Sequence, residues 1–454
     1  MKQLRLNAFA MNCVGHQSPG LWAHPRDRST HYTDLDYWTD LAKTLERGRF
    51  DGLFLADVLG VYDVYGDSPD AAVRHAVQVP VNDPLLLVPA MALVTEHLGF
   101  GVTCTLSYEP PYPFARRMST LDHLTKGRAG WNIVTGYLDS AAAGMGLAGQ
   151  TGHDRRYEAA EEYMRLVYAL WEGSWEDGAV LRDRRRHVFA DPARVHRIRH
   201  DGEFYRLDAM HLSEPSPQRT PVLYQAGASS RGRAFAAAHA ECVFINGPNR
   251  QVVALQVADL RRRAAGFGRD PADLLIFTLM TVIVGRTEAE ARAKHADYRN
   301  YADYDASLAL FSGWTGVDFA KYRPDDELRY IETDAMRSAL ASFTSDDPGR
   351  VWTVRELAEH VAIGGRGPVL VGSPEQIADA LIAWVSQTGI DGFNLAYAVM
   401  PESFTDFVDL VVPELQRRGV YRRDYSPGTL REKLFGPGRA RLAPPHPAAG
   451  YRRT

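Results

Sequence analysis

The stretch from residue 98 to residue 157 decides the fold of this chain. It contains, in order, the segments LGFGVTCTLSY (98–108), PPYPFARRMSTLDHL (110–124), GRAGWNIVTG (127–136) and HDRRYE (153–158). This order predicts a strand, a helix, a second strand, a small-residue loop and a further helix. Both apolar strands end in Thr, Ser or Asn residues. In a parallel α/β barrel, such strand ends converge on the active site.

The same alternation continues on both sides of this stretch. Further strands are predicted at 4–11, 50–57, 221–227, 242–246, 274–284 and 392–397, and helices at 34–47, 83–96, 229–240, 250–265, 287–302, 373–388 and 404–418. About eight strand–helix units at this spacing predict one (β/α)8 TIM barrel rather than an open sheet.

The alternation of strands and helices is interrupted in two places, which indicates a barrel with insertions. Residues 1–420 are predicted to form one barrel with insertions at about 172–220 and 303–368, both read as irregular. The first insertion is charged and proline-containing. Residues 421–454 are rich in Pro, Gly and Arg and are expected to pack on the surface or on a neighbouring subunit.

Composition excludes several classes of protein. The chain has 454 residues and a net charge of −4 with both signs interspersed, so it lacks the basic footprint of a nucleic-acid-binding protein. Its longest apolar run, residues 84–94, is too short to span a membrane and is broken by proline.

The N-terminus enters a strand without a signal-peptide pattern, and the three widely spaced cysteines suit the core of a reduced protein. Both features predict a cytoplasmic location.

The sharpest local motif is QAGASSRG, residues 225–232. Small residues directly after a strand let a ligand approach the backbone. Ser229 and Ser230 then open a helix, whose free N–H groups and dipole favour a phosphate. An ordinary helix cap with a tight turn is the alternative interpretation.

Two further groups of polar residues are candidates for binding. His153 and Tyr157 lie four residues apart, so they share one face in the first turn of a helix. Asp57, Thr103 and Asn132 each lie at or near the end of an apolar strand, an arrangement that suits a heteroaromatic cofactor. Alternatively, His153 could cap its helix, Tyr157 could be a core residue, and the three strand-end residues could be ordinary loop-capping polar groups.

Other catalytic patterns are weak or missing from the sequence. His196 and His200 are four residues apart but lack a nearby carboxylate or cysteine pattern, so a metal site is not predicted. The sequence contains no nucleophile elbow and no P-loop. The glycines of 227–232 do not have the spacing of a dinucleotide-binding fingerprint.

Taken together, the segments resemble one family over nearly the whole chain. The chain resembles the luciferase-like flavin monooxygenases, specifically the branch of nitrilotriacetate monooxygenase component A, dibenzothiophene-sulfone monooxygenase and the pristinamycin synthase large subunit. The matching segments are FLAD (54–57), HLGFGVTCTLSY (97–108), PYPFARRMSTLDHLTKGR (111–128), WNIVTG (131–136), HDRRY (153–157), EPSPQRTPVLYQAG (214–227) and LREKLFG (430–436).

The resemblance implies an FMNH2-dependent monooxygenase of the two-component type. A separate NAD(P)H:flavin reductase would deliver the reduced FMN, and O2 would be the co-substrate. Matching positions place the FMN contacts at Asp57, Thr103, His153, Tyr157 and Ser229, with Ser230 adjacent, and Asn132 is added by extrapolation. The flavin would form a C4a-(hydro)peroxide that transfers one oxygen atom, while the protein excludes water and fixes orientation. His24 or His153 is the candidate for proton transfer.

Three other functions stay open at this point: a deazaflavin-dependent hydride-transfer enzyme of the same superfamily, a non-catalytic flavin-binding protein and a metal-dependent barrel hydrolase. The resemblance also implies a homodimer or homotetramer. Relatives oxidise amines, aminopolycarboxylates and organosulfur compounds, and the sequence does not choose among these substrates.

Overall fold

Eight parallel strands form a closed barrel in the computed structural model, which describes residues 2–227, 229–329, 335–345 and 349–453. The strands are β1 (Arg5–Met11), β2 (Gly52–Ala56), β3 (Gly99–Thr105), β4 (Ala129–Val134), β5 (Val222–Gln225), β6 (Cys242–Ile245), β7 (Leu275–Val284) and β8 (Gly392–Ala396). Each strand pairs with the next, and β8 pairs with β1. The predicted (β/α)8 barrel is therefore confirmed.

Helices surround the barrel and fill its insertions. The α-helices are Leu35–Arg47, Asp70–His75, Val88–Leu93, Pro111–Leu124, Asp139–Gly144, His153–Tyr168, Ser230–His239, Arg250–Gly266, Glu288–Arg299, Tyr304–Thr315, Arg337–Ala341, Val354–Val361, Pro374–Thr388, Glu402–Asp406, Val412–Arg417 and Leu430–Phe435. The first of them buries Trp38, Leu41 and Leu45 against the strands. This three- and four-residue spacing is the pattern of a one-sided amphipathic helix.

Both insertions contain more secondary structure than the sequence suggested. The first holds two short β-hairpins, formed by strands Val180–Asp183 with Val188–Ala190 and Ile198–Asp201 with Arg206–Ala209. Among its described residues, the second holds the helices Tyr304–Thr315, Arg337–Ala341 and Val354–Val361. The prediction of irregular structure there was wrong, because short hairpins and helices outside the barrel repeat do not follow its alternation. Part of the second insertion, residues 330–334 and 346–348, lies outside the described residues.

The interior of the barrel is filled by aromatic side chains. Phe54 and Phe244 have their ring centroids 4.2 Å apart, and Tyr224 stacks on Phe244 at 5.5 Å. Leu430 and Leu434, from the last helix, belong to the same buried cluster. The aromatic layer therefore separates the mouth of the barrel, where the strands end, from its floor.

The C-terminal segment closes that floor. The guanidinium of Arg431 is buried and lies 2.7 Å from a carboxylate oxygen of Glu241, and it also donates to the carbonyls of Thr220 and Pro221. Arg5, at the start of β1, donates to the carbonyl of Leu434 at 2.8 Å. In the structure this part of the tail packs on its own barrel.

The three cysteines are free and buried, as predicted for core residues. Within the described ranges, no helix has the length and hydrophobicity needed to cross a bilayer. The same ranges contain no group of three or more His, Cys, Asp or Glu side chains arranged to hold a metal ion.

Candidate active site

The carboxyl ends of the strands surround a cavity of about 180 Å³, which we call the inner cavity. Its walls come from the loops after β2, β4, β5 and β6, from the helix His153–Tyr168 and from the second insertion. A side cavity of about 510 Å³ adjoins it and shares Asp57, Thr105 and Tyr108 with it. The inner cavity therefore lies at the place where catalytic sites occur in barrels of this type.

One end of the inner cavity is formed by the start of the helix Ser230–His239. Ser229 caps this helix, because its hydroxyl oxygen accepts a hydrogen bond from the Gly232 N–H at 3.0 Å. The same hydroxyl lies 3.2 Å from Nε2 of His153. The positive end of a helix, with a hydroxyl and an imidazole beside it, favours a phosphate. We call this arrangement the cradle.

Tyr157 completes the cradle, and two glycines leave room for it. A Cβ atom at Gly227 or at Gly232 would lie 2.8 Å from the Tyr157 hydroxyl. Only glycine therefore fits at these two positions with the tyrosine in place. Burial raises the pKa of Tyr157, although nearby Arg156 opposes that rise. The hydroxyl thus stays protonated and can donate a hydrogen bond.

His153 has both of its ring nitrogens engaged. Nδ1 lies 2.7 Å from a carboxylate oxygen of Asp154, while Nε2 faces Ser229. The imidazole lies 5.2 Å from the Tyr157 ring, centroid to centroid. This geometry fits the predicted pairing of the two residues on one helix face.

Ser230 is placed differently from Ser229. It is exposed, and its hydroxyl oxygen accepts a hydrogen bond from Nη2 of Arg263 at 3.2 Å. The hydroxyl thus meets the helix Arg250–Gly266, and Ser230 does not line the inner cavity. Of the two serines in the motif, Ser229 has the geometry of a ligand-binding residue.

Asp57 follows β2 and lies where the inner and side cavities meet. Loss of solvent raises the pKa of its carboxyl to about 7, and the negative charge of Asp83 adds to the rise. At neutral pH, the carboxyl can therefore hold or release a proton within the site.

Thr103 and Asn132 lie side by side on β3 and β4. The Asn132 Nδ2 donates to the Thr103 hydroxyl oxygen at 2.9 Å, and both side chains are buried. The Asn132 carbonyl oxygen is also buried, and no described group donates to it. Thr103 lines the side cavity, whereas Asn132 lines neither the inner nor the side cavity and holds the Thr103 hydroxyl from within the barrel wall.

His24 lies outside the inner cavity. It is buried after β1, where its Nε2 meets a carboxylate oxygen of Asp297 at 3.0 Å and its Nδ1 accepts from the Arg26 N–H at 3.2 Å. The rings of Tyr298 and Tyr301 contact it edge-on. These contacts give His24 the surroundings of a packed structural histidine, away from the other candidates.

A second part of the inner cavity, which we call the far end, is lined by Tyr137 and Arg366, with Tyr62 hydrogen-bonded behind Tyr137. The hydroxyls of Tyr62 and Tyr137 lie 2.8 Å apart, and the Tyr62 hydroxyl donates to Gln78 at 2.9 Å. Arg366 lines the cavity beside them, with its guanidinium carbon 5.1 Å from the centre of the Trp314 ring. These residues come from loops and from the second insertion.

Comparison with known proteins places this arrangement in a family. Residues 9–392 match the family model described as luciferase-like monooxygenase. The chain belongs to the luciferase-like monooxygenase family. Dimethyl-sulfide monooxygenase of Hyphomicrobium sulfonivorans is 52% identical over 451 residues, which are 99% of this chain and 94% of the relative. Long-chain alkane monooxygenase of Geobacillus thermodenitrificans (strain NG80-2) is 50% identical over 451 residues, 99% of this chain and 98% of the relative.

A solved structure extends the likeness to a flavin complex. The crystal structure of riboflavin lyase (RcaE) with modified FMN and substrate riboflavin has a TM-score of 0.94 and 37% identity, with 100% of both chains covered. Membership of the luciferase-like monooxygenase family gives the enzyme class: the protein is a flavin-dependent monooxygenase.

Sequence reasoning missed several polar residues of this luciferase-like site. They are Arg156, Gln225, Tyr137, Asn246 and Arg366, all of which line the inner cavity. Arg156 could have been found, since it lies between His153 and Tyr157 in the first helical turn. Gln225 is the last residue of β5 and Asn246 directly follows β6. Both positions are comparable to that of Asn132, which lies near the end of β4. Arg366 and Tyr137 gave no comparable signal.

Proposed function

We propose that the protein is the oxygenase component of a two-component monooxygenase. A separate NAD(P)H:flavin reductase would supply reduced FMN, and the enzyme would use it with O2 to oxidise a small organic substrate. The cradle is the observation that supports this proposal. Ser229, His153 and Tyr157 meet at a helix start that opens into the cavity at the barrel mouth.

The residues present fit FMN. The cradle would hold the phosphate through the Ser229 and Tyr157 hydroxyls and the free N–H groups of the helix start, and the positive charge of Arg156 lies nearby. Thr103 would meet the ring system from the side cavity, with Asn132 holding its hydroxyl. Once bound, reduced flavin supplies the electrons that activate O2 for transfer of one oxygen atom.

The remaining side chains would position groups and handle protons. Because both nitrogens of His153 are engaged, we assign it to binding the phosphate rather than to proton transfer. Asp57, with its pKa of about 7, is the group that could hold a proton beside the ring. We leave His24 and Ser230 out of the proposed site, since His24 is packed against Asp297 and two tyrosines and the Ser230 hydroxyl faces Arg263.

We infer an organosulfur compound as the first substrate class to screen, followed by amines, aminopolycarboxylates and alkanes. Dimethyl-sulfide monooxygenase and dibenzothiophene-sulfone monooxygenase are relatives named for sulfur compounds, the latter 38% identical over 432 residues.

We also propose a homodimer or homotetramer in the cytoplasm. Leu86, Leu93 and Leu124 are 76%, 87% and 60% exposed, and exposed leucines of this kind suit contact with a second subunit.

Anaerobic titration with photoreduced FMN, followed by mixing with O2, tests the proposal. We expect the protein to bind reduced FMN and to slow the return of the oxidised flavin spectrum relative to free flavin. With a flavin reductase and isotopically labelled O2, one labelled oxygen atom should enter the product. Binding without any change in the oxygen reaction would indicate a flavin carrier or hydride chemistry. Absence of binding would show that the cradle assignment is wrong.

A further inference from the structure

Arg366 is a positive charge at the far end that the proposed FMN site does not use. Its side chain is half-buried and lines the inner cavity. Of the residues that the structure describes, no carboxylate forms a salt bridge with it. The neighbours it does have are neutral: the Trp314 ring face, the Met336 sulfur at 4.0 Å and the Asn246 side chain. In the amide orientation that satisfies both of its ends, the Asn246 oxygen accepts from Arg366 Nη2 at 3.1 Å.

The backbone conformation before Arg366 places its side chain at the mouth of the barrel. Gly364 and Gly365 have φ angles of +83° and +65°, in the left-handed region that favours glycine. A Cβ at Gly364 would lie 2.5 Å from the Thr281 hydroxyl, and one at Gly365 would lie 2.2 Å from Gln17 Oε1. The loop therefore packs closely against β7 and the segment after β1, which fixes where the arginine enters the cavity.

Keeping a cation there is energetically costly. Burial lowers the pKa of Arg366 to about 10, and the nearby hydroxyls of Tyr137 and Tyr62 oppose that decrease. The guanidinium still carries its charge at neutral pH. A charge taken from water is normally compensated by a partner of opposite sign, and here a ligand can supply that partner.

This cation and the cradle cations serve different parts of the cavity. Ser229 contacts His153 and Gly232, whereas Arg366 contacts Trp314, Met336 and Asn246, so the two groups share no contact among the described residues. With the FMN phosphate in the cradle, Arg366 is left for another anion.

We propose that Arg366 binds an anionic group, a carboxylate or sulfonate, of the organic substrate. This inference rests on the proposed function, because it takes the cradle to be the FMN phosphate site. A planar guanidinium pairs with two oxygens of such a group at once, which fixes direction as well as charge. The substrate class is then an organosulfur compound or amine that carries a negative charge away from the oxidised atom.

A pair of probes of nearly equal shape tests the charge preference. Methanesulfonate carries one negative charge, while dimethyl sulfone is neutral. We would titrate each into the 454-residue protein saturated with FMN, which keeps the probes out of the cradle, and measure binding by calorimetry. We expect methanesulfonate to bind at least about tenfold more tightly than dimethyl sulfone. Equal affinities in the wild-type protein would overturn the proposal without any variant.

Variants then assign the preference to one side chain. Arg366→Gln should bring the affinity ratio close to one, and Arg366→Lys should keep part of it. Arg350→Gln is the matched control, because Arg350 also stacks on a tryptophan, 3.4 Å from the centre of the Trp352 ring, but does not line the inner cavity. It should leave the ratio unchanged. A ratio unchanged in Arg366→Gln would overturn the proposal.

Binding of FMN and riboflavin separates the two possible anions. Riboflavin lacks the phosphate, so the ratio of FMN to riboflavin affinity reports on the cradle alone. Arg366→Gln should not change this ratio. A lower ratio would show that Arg366 serves the cofactor phosphate, which overturns the substrate assignment. If the protein keeps its methanesulfonate preference but does not react with reduced FMN and O2, the proposed function fails while the anion site stands.

Discussion

The two ends of the inner cavity are built in opposite ways. At the cradle, two adjoining barrel units contribute Ser229, Tyr157 and His153, and short-range spacing sets their geometry. At the far end, Tyr62, Tyr137 and Arg366 come from three separate loops and meet only in the folded chain. Rigid barrel elements suit a cofactor of constant shape, whereas loops can vary with the substrate.

The largest expected effect comes from filling the cradle. In Gly232→Ala, the new Cβ would lie 2.8 Å from the Tyr157 hydroxyl and 3.0 Å from the backbone of Gly227. Overpacking of this kind costs about 1–3 kcal/mol, so FMN affinity should fall by about 10- to 100-fold. Fluorescence titration of FMN measures the change.

Gly266→Ala is the matched control for this substitution. Gly266 also lies in a helix, but its Cβ would meet no heavy atom within 4 Å. Its FMN affinity should equal that of the wild type. If the cradle and the far end are separate sites, Gly232→Ala should not change the preference for methanesulfonate over dimethyl sulfone. Loss of both FMN affinity and this preference would show that the two ends form a single site.

A smaller effect is expected at Ser229. Ser229→Ala removes both a helix cap and a cradle hydroxyl, so the protein should lose about 1 kcal/mol of stability and FMN affinity should fall about tenfold. Thr287→Ala removes a cap of the same kind from the helix Glu288–Arg299, outside the cavity. Thermal unfolding and FMN titration of both variants check the prediction. An equal loss of FMN affinity in the two variants would mean that only helix stability matters.

The smallest effect on ligand binding is expected at Asp57, between the two ends, where the change is in stability and depends on pH. Its pKa is raised to about 7 in the folded protein from its ordinary value of 3.8. Between these values the folded state holds a proton that the unfolded chain has lost, so stability falls as pH rises through this window. A shift of about three pKa units corresponds to about 4 kcal/mol, so Asp57→Asn should be more stable relative to wild type at pH 8 than at pH 4 by up to about that amount.

Unfolding temperatures measured across that pH range give the comparison. Asp40→Asn, at an aspartate whose side chain is 74% exposed, is the control and should show little pH-dependent difference from wild type. A gain at Asp57 that does not depend on pH would contradict the burial of its charge.

The fold could be predicted because its strands and helices repeat a regular pattern. The apolar runs at β1–β8 and the amphipathic faces of helices such as Leu35–Arg47 follow directly from side-chain periodicity. The hairpins of the first insertion and the helix Tyr304–Thr315 of the second were missed. That helix is buried from Ala306 to Thr315, so it lacks the polar face that marks an amphipathic helix.

The candidate site was predictable only where its residues are close in sequence. Ser229 could be placed from the small-residue motif and the start of a helix, and the structure gives it a cap and a contact with His153. Ser230 differs from Ser229 only in its direction, which the motif does not specify. Arg366 follows two glycines in a loop, and its position depends on packing against Thr281 and Gln17. Sequence spacing does not contain that long-range information.

The floor of the barrel has a consequence for how the protein is made. The helix Leu430–Phe435 follows all eight strands in the chain, yet it supplies Leu430 and Leu434 to the aromatic cluster inside the barrel. On the ribosome, the strands emerge first and must wait for this helix before their lower ends are covered. A nascent chain stalled before residue 430 would leave Glu241 buried without Arg431, and it is expected to bind chaperones and to be cleaved by proteases.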